Sequence, residues 1–198
     1  MKQKYFFTVF FALPLFFSGC CIEKYCEAFN EQHIKFAPLD LEKDDVLIYQ
    51  SNYGNVSEFQ VTRKDMSEAY EYETCSGGCT QYLIMIFACT NQQFKQMTLN
   101  LYYDDNKPKR VASTIIFDRQ YHSFIYHTDS NGKVMGSFIN ENNESEAFSL
   151  PVVDSMLINQ TWYYDIIELK DSVQTIHVAK SWGIVQITEK NGEIWTLN

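Results

Sequence analysis

The apolar positions of this chain change their spacing once, near residue 45. Residues 5–17 read YFFTVFFALPLFF, an apolar run with Thr8 as its one strongly polar member. From Asp45 onward the apolar residues fall mostly at every second position. A period of two puts alternate side chains on opposite faces of a strand, so the pattern predicts half-buried strands. KQMTLNLYY (95–103) is the cleanest case: Met97, Leu99, Leu101 and Tyr103 share one face, and Gln96, Thr98 and Asn100 take the other. DVLIYQ (45–50), VSEFQVT (56–62), RVASTIIFD (110–118), YHSFIYHTD (121–129) and VMGSFI (134–139) are further strand candidates. In VSEFQVT, Val56, Phe59 and Val61 are only partly in phase, which predicts a bulge or an offset. QYLIMIFACT (81–90) is the most apolar stretch after the first run and reads as a central strand buried on both faces.

The C-terminal region gives four strand-like runs, at 161–170, 173–180, 183–190 and 193–198. Asp171-Ser172, Ser181-Trp182 and Asn191-Gly192 separate them. Asn191-Gly192 predicts a tight two-residue turn with positive φ at both positions, and Asn131-Gly132 gives the same hairpin signal. Residues 63–79 read as a loop or a short helix, 140–151 as an exposed loop, and 23–33 as a possible short helix. No long amphipathic helix follows residue 35. Short strands with turn signals every 8–12 residues predict an all-β fold: an antiparallel curved sheet, as a sandwich or a partly open barrel, closing in a meander.

The first apolar run has a different meaning. Met1-Lys2-Gln3-Lys4 supplies a basic start, the run is thirteen residues long, and Ser18 and Gly19 follow it. That three-part form is a secretory signal. A membrane-spanning helix needs about 20 apolar residues, and Pro14 interrupts this shorter run. Phe17-Ser18-Gly19-Cys20 resembles the lipobox of bacterial lipoproteins, with Phe17 where Leu is commonest. The resemblance implies cleavage before Cys20, a diacylglycerol on Cys20 Sγ and acylation of the new amine, palmitate being an expected chain. Several acyl chains would hold a domain durably without a membrane span. Position 21 is Cys rather than the Asp that retains some lipoproteins at the inner membrane, which points to the outer membrane, on either face. The expected organisation is a signal at 1–19, a tether leading into the domain at 20–44, and a single β-rich domain at 45–198. The closing stretch, from INQTWYYDIIELK through WGIVQITEKNGEIWTLN, is also similar to the last strands of uncharacterised bacterial lipoproteins.

Charge narrows the partners. Without Lys2 and Lys4 the remaining 179 residues carry 14 basic and 25 acidic groups. Such a chain has no electrostatic footprint for nucleic acid and no attraction to anionic headgroups. The expected partners are the membrane, through the lipid on Cys20, and an envelope protein, a glycan or an apolar ligand.

Candidate chemistry is sparse. Cys75 and Cys79 in CSGGC make a possible disulfide, since two glycines let the loop curl and an exported chain meets oxidising conditions. Cys21 and Cys26 are the next pair, and Cys89 reads as a buried thiol. A structural zinc would need a second close pair of ligands, which is missing. His122 and His127 stand at an odd offset on one strand, and His33 and His177 are isolated. No nucleophile elbow and no phosphate-cradling glycine loop appears. Asp154-Ser155-Met156 and Asp171-Ser172-Val173 read as exposed turns and resemble an O-glycosylation acceptor of some bacteria. No cofactor and no catalytic residue is assigned. The expected role is a lipid-anchored, non-enzymatic binding or structural domain; the alternative is a carrier or chaperone holding an acyl chain or other apolar ligand in its curved sheet.

Overall fold

A computed structural model describes residues 29, 31, 34–68, 70–71, 79–91, 96–104, 110–117, 122–128, 133–139, 145–170 and 174–198. They form fourteen strands and no helix: β1 Val46–Ser51, β2 Val56–Met66, β3 Tyr70–Glu71, β4 Cys79–Cys89, β5 Gln96–Asp104, β6 Arg110–Phe117, β7 His122–Thr128, β8 Val134–Ile139, β9 Ser145–Ser149, β10 Val152–Ile158, β11 Thr161–Lys170, β12 Gln174–Ala179, β13 Gly183–Glu189 and β14 Ile194–Leu197. All belong to one antiparallel sheet in the order β10-β11-β12-β13-β14-β1-β2-β4-β5-β6-β7-β8-β9, with β3 paired to β4 alone.

The all-β expectation holds, and topology decides the sheet's shape. β9 and β10 stand at opposite ends of the ladder, yet only Leu150 and Pro151 separate them in the chain. Laid flat, the thirteen strands of that path would put their ends about 58 Å apart at a spacing of about 4.8 Å. Three residue steps from Ser149 to Val152 span at most about 11 Å. The sheet therefore curls until its ends meet. It does not close, because no ladder joins β9 to β10 among the described residues. Leu150 still donates its N–H to the Val134 carbonyl at 2.9 Å. After Pro151 the chain leaves β8 and takes β11 as its neighbour. The result is a partly open barrel. Opposite the seam, the pairing of β1 with β14 joins the first and last strands, with Tyr49 facing Leu197 and Ser51 facing Trp195. Asn52 extends that join: its N–H donates to the Ile194 carbonyl, and its side-chain oxygen accepts from the Ile194 N–H, both at 2.9 Å.

The interior follows the period-two pattern. Phe59 and Val61 of β2, Leu83, Met85 and Phe87 of β4, and Met97, Leu99 and Leu101 of β5 are buried. Facing them are Ile176 and Val178 of β12, Ile184, Val185 and Ile187 of β13, and Trp195 and Leu197 of β14. The bulge expected in β2 lies between Val61 and Arg63, and Val56 falls out of phase into solvent.

Several expectations are corrected. β4 is not buried on both faces: Tyr82, Ile84, Ile86 and Ala88 are half-buried, because the curled sheet turns that face outward. Residues 63–66 extend β2 and 70–71 form β3, where a loop or helix was expected; pairing with β4 overrides their polarity. β9 lies inside the expected loop at 140–151. Asp154, Ser155 and Met156 sit in β10 rather than a turn, while 171–173 lie outside the described residues. The Asn191-Gly192 turn has three residues, not two. Glu189 donates to Glu193, Gly192 donates back to Glu189, and of the loop residues Gly192 alone has positive φ, at 86°. That is a type I turn closed by a glycine bulge. The two-residue turn with positive φ at both positions is instead Asn159-Gln160, between Ile158 and Thr161. The possible helix at 23–33, and Cys20, Cys21, Cys26, Cys75 and the 130–132 turn, lie outside the described residues, so the Cys75–Cys79 pairing does too.

Gly183 joins the sheet to the segment that precedes it. Its φ is 71°, and a Cβ there would meet Pro38 Cδ at 3.1 Å. Gly192, at φ 86°, would meet nothing closer than the Tyr53 hydroxyl at 4.0 Å. Gly192→Ala should cost about 1–2 kcal/mol, the left-handed backbone term alone. Gly183→Ala should cost about 2–5 kcal/mol, because crowding against Pro38 adds to it. Urea midpoints of the two variants check this, and equal losses would mean that Pro38 gives way freely.

Candidate functional site

The most distinctive part of the molecule is one end of the barrel. The β10–β11 and β12–β13 turns, the end of β14, the start of β1, the end of β2 and the start of β4 all meet there, as the antiparallel registers require. Two structures close this mouth.

The first is the segment before β1. Ile34, Phe36 and Ala37 are a short apolar group in an otherwise polar stretch. Phe36, Ala37 and Pro38 are buried, wedged against Gly183 and Ile184 on one side and Phe87, Met97 and Leu99 on the other. Backbone bonds hold the wedge: Ala37 N–H donates to the Ile34 carbonyl at 2.9 Å, and Ser181 N–H to the Lys35 carbonyl at 2.8 Å. Lys64 Nζ donates to the Leu39 carbonyl and to Glu42, each at 2.8 Å. Farther back, the Phe29 N–H donates to the side-chain oxygen of buried Gln81, whose amide donates to the Ser67 carbonyl at 3.1 Å. The segment before β1 thus meets the domain at this mouth, and residues 36–38 are part of the core.

The second is the tip of the β10–β11 hairpin. The β11–β12 ladder stops at Ile167, and Asp165 sits in the left-handed region at φ 51°. Beyond it the tip is held by Lys180 N–H to the Tyr164 carbonyl at 3.3 Å and by Asn159 Nδ2 to Asn198 Oδ1 at 3.0 Å. Tyr163 and Ile158 turn inward, and the Trp182 ring meets Tyr163 edge-on at 5.5 Å. Below them Tyr49 is fully buried, donates its hydroxyl to the Ile184 carbonyl at 2.8 Å and packs edge-on against Phe59.

Beside the wedge, among the described residues, little space remains: Phe36, Pro38, Phe87, Met97, Leu99, Val178, Gly183 and Ile184 line an apolar void of about 20 Å³. Ligand pockets run to about 300–1,000 Å³, and about 10–15 Å³ takes one water. Outside the wedge, Glu31, Lys35, Asp40 and Lys180 rim an open cleft of about 240 Å³ with charges of both signs.

The flank of this mouth is apolar. Leu157 and Trp162 are cross-strand partners, Tyr164 lies two residues on, and Trp182 stands on the next turn. Each of the four is more than half exposed. Asp165 lies between Lys35 and Lys180, at 3.1 Å and 3.9 Å.

Among the described residues, other chemical groups do not converge. His177 is not isolated, as the sequence suggested: it is buried opposite Glu168, with Nε2 3.2 Å from Oε2 and Nδ1 without a hydrogen bond. Cys89 is half-buried, not buried; its Sγ donates to Asn91 Oδ1 at 2.9 Å and lies 3.3 Å from Ser57 Oγ. Neither partner is a base. His122 and His127 both fall on β7. Among the described residues no three potential metal ligands cluster. Sequence reasoning missed the wedge, Tyr49 and the exposed aromatic flank. The apolar group at 34–37 was the available signal for the first.

Burial raises Tyr49 and Tyr163 above the ordinary tyrosine value of 10.0, and Tyr163 adds to the effect on Tyr49. A raised value favours the neutral phenol in the folded state, so the stabilisation is present below about pH 10 and is lost as pH rises further. Tyr49→Phe should cost about 1–3 kcal/mol at neutral pH by orphaning the Ile184 carbonyl. The deficit against wild type should shrink by about 1.4 kcal/mol per pH unit above 10. Urea titrations at pH 8 and pH 11 check this, and a constant difference would rule out a buried phenol at this position. No family model, no curated protein and no solved structure matches the chain.

Proposed function

We propose that this chain is a bacterial envelope lipoprotein, held by lipid on Cys20 at the outer membrane, whose β domain acts through its surface in a non-enzymatic binding or structural role. The basic start, the apolar run and Ser18-Gly19-Cys20 support the anchor. For the domain the observation that carries the reading is the filled mouth. Phe36, Ala37 and Pro38 plug this mouth, and the void beside them is more than tenfold below the lower limit of a ligand pocket. The exposed Leu157, Trp162, Tyr164 and Trp182 supply a contact surface outside. A carrier would need the wedge to withdraw. No observation favours that step, because the wedge is fixed by Gly183 packing and by the Ser181 and Lys64 hydrogen bonds.

Cys20→Ala should leave the protein unacylated and free of the membrane fraction, with unchanged thermal stability. Intact-mass measurement of detergent-extracted wild type should show loss of 1–19 and the added mass of a diacylglycerol and an acyl chain. Membrane retention of Cys20→Ala would defeat the anchor. Recovery of a stoichiometric apolar compound from the native protein would restore the carrier.

A further inference from the structure

Nine residue steps separate Cys20 from Phe29, and Phe29 is bonded to Gln81 at the mouth. Even fully extended, they span no more than about 32 Å. Accepting lipid on Cys20, the mouth of the barrel is thus bound to stay within about one domain diameter of the bilayer. This end also carries both exposed tryptophans of the described residues, Trp162 and Trp182, with Tyr164 and Leu157 beside them and Met66, Val46 and Ile48 on the same rim. Trp and Tyr prefer the membrane–water interface, where an apolar ring and a polar edge are both satisfied. Lys35 and Lys180 flank them with Asp165 between, so this sector is near neutral. Exposed Asp40, Glu42, Asp44 and Asp45, against Lys43 alone, make the neighbouring loop acidic and disfavour an anionic surface.

We propose that the flank formed by Leu157, Trp162, Tyr164 and Trp182 docks on the zwitterionic lipid surface of the bilayer that holds Cys20. This rests on the lipoprotein reading. A surface already held within tens of ångströms by an anchor needs little affinity of its own to stay engaged.

The test uses the acylated full-length product in phosphatidylcholine vesicles, with and without brominated acyl chains. Bromolipid should quench Trp162 and Trp182 and leave buried Trp195 bright. A variant with Trp162→Phe and Trp182→Phe should lose the quenchable emission and keep its vesicle association. Tyrosine and leucine contacts are probed separately by Leu157→Ser with Tyr164→Ser, which should raise iodide access to Trp162. Anchored protein whose Trp162 and Trp182 are quenched by iodide and not by bromolipid would overturn the docking and leave the lipoprotein reading intact. Shielding from both quenchers would assign the flank to a second copy or another protein, and also overturn it. Product without acyl mass would remove the lipoprotein reading and the docking together.

Discussion

The short step from Ser149 to Val152 governs this structure. It ties the two ends of a long antiparallel ladder together, and a ladder so tied cannot lie flat. Curling creates an inside, and the inside must be filled to native density or lose dispersion contacts along its lining. Among the described residues the strands contribute Leu, Ile, Val, Met and Phe to that filling. At the mouth the sheet runs out, and the chain uses two further pieces: Phe36, Ala37 and Pro38 from before β1, and Tyr163 from the bent β10–β11 tip. At the seam the Leu150 N–H still bonds the Val134 carbonyl beside β8, and two residues on Val152 is paired with Ile167 of β11.

The mouth explains the strained backbone around it. Gly183 has positive φ where Pro38 presses in, Ser181 has φ 63° in the turn that bonds Lys35, and Asp165 has φ 51° where the hairpin tip departs from β12. Non-glycine residues in the left-handed region cost of order 1 kcal/mol and persist when their surroundings fix them. Here the fixing groups are the wedge's backbone bonds and the Asp165 pairs with Lys35 and Lys180.

Much of the fold was legible because a period of two is a local property. Met97, Leu99 and Leu101 announced β5, and the four C-terminal runs matched β11 to β14 within a residue or two. What was illegible depended on pairing. β10 exposes most of its residues at the edge of the ladder, so it carries no clean alternation, and β9 hides in a polar run. Glu168 and His177 meet only because the β11–β12 register brings them opposite each other. Asn191-Gly192 carried the right dipeptide, yet the register of β13 on β14 leaves three residues to connect, so the glycine alone takes the left-handed position. Of the candidate site, the aromatic flank was not legible, because it needed the hairpin tip to be seen bent and exposed.

The wedge also changes what an anchor does. If the chain were free up to β1, the 26 steps from Cys20 to Val46 would allow a reach of about 90 Å, and the domain could turn any face to the membrane. Burying 36–38 and bonding Phe29 to Gln81 moves the attachment point to the mouth and cuts that reach about threefold. Core packing and orientation therefore share one segment. On the proposed anchoring at Cys20, the residues that fill the barrel would also set which end of it faces the bilayer, the end with Trp162 and Trp182 on its outside.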